Sequence, residues 1–185
     1  MQADYSVEMG VGDPTVEVPW SSPERRLQYV DLRLEPRRVQ EIEEARDFPE
    51  LADFLHRVNA AGSFQTVKCD VWSSTEIEPA EEIFGGTHKH GSYCDFVFCE
   101  PELRQSFLEH EAFMRRLVEL LTKAPEIPAS VELVLRRCIF HEPGMSGCAI
   151  TCFVTGFGGD DSQARRQWAI ALTLIENALR QVASS

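Results

Sequence analysis

The chain has 185 residues, 43% of them hydrophobic, with a formal net charge of −12. Such a hydrophobic content excludes disorder throughout, and the length suits one ordinary domain with its own core. Nucleic acid is bound by clustered Lys and Arg, so an acidic chain with a pI near 4.8 is expected to have no nucleic-acid partner and to attract basic proteins instead.

Residues 1–24 have the character of an extended N-terminal arm ahead of a single α+β domain over 25–185. The opening MQADYSVEMGVGDP lacks the basic and apolar regions of a secretory signal. No apolar run approaches the ~18 residues of a membrane helix, so a cytoplasmic protein without membrane association is expected. Pro14 and Pro19 keep the piece DPTVEVPW out of a helix, leaving an edge strand or a strap over the domain.

The run LQYVDLRL (27–34) alternates and predicts a half-buried strand, with Val30, Leu32 and Leu34 on one side and Tyr29, Asp31 and Arg33 on the other. A helical region over 37–60 is broken at Pro49. Its second part carries Leu51, Phe54, Leu55 and Val58 at core-facing spacing. FQTVKCDVW (64–72) predicts a second strand, with Val67, Cys69 and Val71 on one face and Thr66, Lys68, Asp70 and Trp72 on the other. SYCDFVFC (92–99) predicts a third, with Cys94, Phe96 and Phe98 inward and Tyr93 and Asp95 outward. A long helix over 101–123 opens on Pro101. Strands over 131–140 and 148–157 are apolar on both parities, which predicts cover on both faces. The turn between them centres on Pro143 and Gly144. A last helix, capped by Asp160 or Asp161, runs to about Val182.

The order strand, helix, strand, strand, helix, strand predicts a ferredoxin-like βαββαβ core. A fifth strand at the sheet edge and a C-terminal helix extend it into a mostly antiparallel sheet with helices on one face. That architecture hosts many functions and selects none.

The stretch GGTHKHGSYCD (85–95) carries two histidines one residue apart. On an extended backbone His88 and His90 point to the same side, which suits metal ligation, and His141 or Glu142 is the available further donor. That set defines a zinc or other divalent transition-metal site in an enzyme or sensor. The plainer account is a polar loop entering a core strand, with no cofactor. The glycines of TGFGGDD (155–161) do not make a phosphate loop, because Asp160 and Asp161 occupy the helix start that an anion needs. The six cysteines form no CxxC pair and lie in apolar runs, so neither a disulfide framework nor a reactive thiol is expected.

Alternation gathers Tyr29, Asp31, Arg33, Lys68, Asp70, Trp72, Tyr93 and Asp95 on the sheet face away from the core. Aromatic rings mixed with both signs of charge suit a protein-binding surface. The first functional expectation is therefore a non-catalytic cytoplasmic binding protein, an adaptor or inhibitor of a basic partner of the antitoxin or immunity type. The metal-dependent reading is the second, and homodimerisation through the same face or the fifth-strand edge is the third.

Overall fold

Alternating apolar residues build one six-stranded, mostly antiparallel sheet, and five α-helices complete the mixed α and β fold among the described residues. The structure is a computed structural model that describes residues 1–20, 28–141 and 144–183. The strands are β1 (Gln2–Glu8), β2 (Thr15–Val18), β3 (Phe64–Ser74), β4 (His88–Phe98), β5 (Ala129–Phe140) and β6 (Met145–Gly158). The helices are α1 (Glu43–Asp47), α2 (Pro49–Ala60), α3 (Pro101–Gln105), α4 (Phe107–Thr122) and α5 (Asp161–Ala183). Strand order is β1-β5-β6-β4-β3, with β2 also paired to β5. The pairs β3–β4, β4–β6 and β5–β6 are antiparallel, whereas β1 and β2 both run parallel to β5.

Helix boundaries follow local chemistry. The region over 101–123 is two helices, because the Ser106 side chain accepts the Glu109 N–H and starts α4. Asp160 accepts the Gln163 N–H at 2.7 Å and caps α5. Pro36 and Pro49 open a 3₁₀ turn and α2 in the region expected to be helical.

Three expectations are corrected. Residues 28–34 do not form a strand: Gln28 makes an isolated bridge and Leu32–Leu34 form a turn, while Leu27 lies outside the described residues. The Asp31 carboxylate accepts the Arg33 N–H and pairs with its guanidinium at 2.6 Å, while the Asp31 carbonyl accepts from Leu34 and Glu35. Such side-chain capture of the local backbone competes with a ladder and leaves Leu34 78% exposed. The fifth predicted strand is not an edge: β6 is hydrogen-bonded to both β4 and β5. Val67 does not share a face with Cys69 and Val71. A bulge between Thr66 and Lys68 turns it to the opposite side, where it packs with Val97.

Helices α2, α4 and α5 cover one sheet face in the main core, which includes Val30, Leu51, Phe96, Met114, Leu133, Ile150 and Trp168. Trp168 is fully buried and donates from Nε1 to Ser92 at 2.8 Å. Burying an aromatic of that size contributes on the order of 5 kcal/mol of transfer free energy. The glycines of the 155–161 stretch serve this contact. A Cβ on Gly156 would collide with the Trp168 backbone, and one on Gly158 would lie 2.5 Å from the Ala164 nitrogen. Helix α5 therefore rides close on β6. On the other sheet face a smaller core of Val16, Val18, Val67, Val97, Cys138 and Phe140 lies under Trp20 and Tyr29 and covers one end only.

Candidate functional site

Register decides which side chains share the uncovered part of that second face. One row crossing the sheet reads Ser6, Val134, Thr151, Asp95 and Lys68 from β1 to β3, and the next reads Asp4, Glu132, Phe153, Tyr93 and Asp70. A third carries Trp72 over Gly91, where a Cβ on the glycine would lie 2.7 Å from the indole. In-register neighbours on one face are within side-chain reach of one another.

A recess of about 390 Å³ opens over these rows and is lined by Val16, Trp20, Lys68, Tyr93, Asp95 and Phe153, with Arg136 and Thr151 beneath. Part of its wall is built by β2 and Trp20, because β2 pairs in parallel with Arg137–Phe140 of β5 and continues the sheet edge that β1 begins. Asp95 lies at its base and is only 7% exposed. Thr151 Oγ1 donates to Asp95 Oδ1 at 2.5 Å, and Arg136 Nε donates to Thr151 Oγ1 at 3.0 Å. Arg136 is also paired with Glu8 at 2.9 Å. Burial pushes the Asp95 carboxyl up to about 6, against the opposing pull of the Thr151 hydrogen bond and of Arg136 and Lys68. Lys68, exposed at the rim, lies 5.9 Å from the Tyr93 ring centroid. The Tyr93 hydroxyl raises the Lys68 ammonium, and burial raises the Tyr93 phenol.

Comparison with protein-family models, with curated proteins and with solved structures gave no match.

Of the residues expected on the binding face, Lys68, Asp70, Trp72, Tyr93 and Asp95 share it through β3 and β4. Tyr29 lies at the covered end of the same face, bonded to Gln65. Asp31 and Arg33 belong to the turn, where Arg33 also donates to Cys99 Sγ at 3.4 Å. Arg136, Thr151, Phe153 and Trp20 are members of the recess that the sequence did not single out. Arg136 and Thr151 sit in strands whose apolar residues on both parities masked a polar row.

The histidines are not brought together. His88 pairs with Gly158 and His141 follows the Phe140–Met145 pair, so the 14-residue strand β6 separates them. At ~3.3 Å per residue that is on the order of 40 Å. No group of three His, Cys, Asp or Glu side chains among the described residues is placed to hold a metal, and Glu142 lies outside those residues. His141 pairs with Glu17 at 3.2 Å, and His88 Nδ1 lies 3.0 Å from Thr87 Oγ1. His90 is a core residue between Phe48 and Trp168, with ring centroids 5.3 and 4.8 Å away. Its Nδ1 lies 2.7 Å from Ser73 Oγ, and burial lowers its pKa, favouring the neutral ring. All six cysteines are free, and burial pushes Cys138 and Cys152 up to about 12, which suppresses thiolate chemistry. No helix among the described residues is long and apolar enough to cross a membrane.

Proposed function

We propose that the protein is a non-catalytic binding protein that docks a basic protein partner on the sheet face turned away from the helices, as an adaptor or inhibitor does. The observation that carries this reading is the charge and composition of that face. Among the described residues of that face, Asp4, Asp70, Asp95 and Glu132 stand against Lys68. Lys89 and Arg136 are already neutralised by Glu81 and Glu8. Trp20, Trp72, Tyr93 and Phe153 supply the rigid aromatic area that anchors interfaces. The whole-chain charge of −12 extends the same attraction to long range.

The test uses fluorescence anisotropy of a labelled arginine-rich peptide. The reading expects the dissociation constant to rise at least ~10-fold as salt shortens the Debye length from about 30 Å to about 8 Å. It also expects weakening in the Asp4→Asn/Asp70→Asn/Glu132→Gln variant. A matched variant on the helical side, Glu43→Gln/Glu102→Gln/Glu119→Gln, should bind as the parent does. Equal weakening by both sets would reduce the effect to overall charge and remove the docking face.

A further inference from the structure

The carboxylate at the base of the recess is buried and makes no direct ion pair among the described residues. Its Oδ1 is engaged by Thr151, while Oδ2 has no hydrogen bond among the described residues, and the residue lines the recess. Arg136, the guanidinium that acts on it among the described residues, is committed to Thr151 and Glu8. The ammonium that acts on it among the described residues, Lys68, is drawn to Tyr93 at the rim. A buried carboxylate lacking a cation is costly to folding, and that cost is relieved when a cation arrives. The walls suit a cation as well, because the aromatic residues Trp20 and Phe153 and the apolar Val16 line them. The volume, about 390 Å³, lies within the usual range for ligand sites.

We infer that the recess receives one guanidinium or primary-ammonium head, carried on an extended side chain of the basic partner, with Asp95 Oδ2 as its acceptor. The inference rests on the docking reading and adds the contact that anchors it. Charged and titratable neighbours on every strand around the carboxyl are Glu8 on β1, Glu17 on β2, Lys68 and Asp70 on β3, Tyr93 on β4 and Arg136 on β5. Among them the Asp95 carboxyl is the group raised to about 6, so capture of a cation weakens as pH falls through that value.

The experiment is a titration of the full-length ¹⁵N-labelled protein with agmatine, and with n-butylurea as an uncharged control of similar reach. Agmatine is expected to shift the amides of Tyr93, Asp95, Thr151 and Phe153, while butylurea leaves them in place. Asp95→Asn keeps an acceptor for Thr151 and is expected to weaken agmatine at least tenfold. Lys68→Ala, which removes the competing cation, is expected to tighten it severalfold. Agmatine binding unchanged in Asp95→Asn would overturn the inference. So would binding unchanged or weakened in Lys68→Ala, which decides the matter if the asparagine variant fails to fold. The arginine-rich peptide separates the two levels. If it still docks, salt-dependently, on Asp95→Asn while agmatine binding is unaffected, only the recess inference fails. If agmatine is captured through Asp95 but no peptide docks, the docking reading fails and the cation is a free small amine.

Discussion

The two faces of the same sheet solve opposite problems. Under the helices, Phe96, Leu133, Ile150 and Trp168 fill a continuous apolar core, and the Ser92 hydroxyl that enters it is paired with Trp168. On the other face the residues directly behind them, Asp95, Val134 and Thr151, carry a carboxylate that burial has pushed up to about 6. One face is arranged for stability. The other holds a group that lowers stability at neutral pH, and such costs concentrate where a surface has a task beyond folding.

Substitutions on the two faces should separate accordingly. Trp168→Ala, on the helical face, should cost about 3–5 kcal/mol in urea unfolding, since it removes the largest fully buried side chain and frees Ser92. Gly156→Ala should cost about 3 kcal/mol, because the new methyl meets the α5 backbone, which has no rotamer to yield. Thr151→Val, on the open face, should cost about 2 kcal/mol by stripping Asp95 Oδ1 and Arg136 Nε of their shared partner. Lys68→Ala, at the rim, should change stability by no more than ~0.5 kcal/mol. A Lys68→Ala loss as large as that of Thr151→Val would make the rim lysine part of the folded scaffold and blur the contrast between faces.

Much of this contrast was legible in the sequence. The stripe of Leu51, Phe54, Leu55 and Val58 lies on the core side of α2, and alternation in β4 separates Cys94 and Phe96 from Tyr93 and Asp95 as they lie in the sheet. Local signals failed where a side chain overrode them. Asp31 closes a turn over 31–34 despite the alternating pattern of that run, and the bulge at Val67 resets the parity of β3. The alternation of Ala3, Tyr5 and Val7 fits a strand, but nothing local says that it pairs with Ser130–Arg136. Sheet order was out of reach for the same reason. Whether His141 lies near His88 or at the far end of β6 depends on register between distant strands. The recess combines both cases: Lys68, Tyr93 and Asp95 follow from alternation, while Arg136 and Thr151 join them only once β5 and β6 are placed beside β4.

The most direct measurement is the pH dependence of unfolding free energy for the parent and Asp95→Asn. The folded carboxyl is raised from 3.8 to about 6, so the native chain holds a proton that the unfolded chain releases between those values. Stability contributed by this group is therefore fully present below the unfolded value and lost as pH rises through the folded one. At about 1.4 kcal/mol per pH unit of displacement, the loss is on the order of 3 kcal/mol. The account predicts profiles that nearly meet at about pH 4 and diverge above it, with the asparagine variant more stable at neutral pH. Parallel profiles across that range, or a parent that gains on the variant as pH rises, would contradict a buried, cation-seeking carboxylate at the base of the recess.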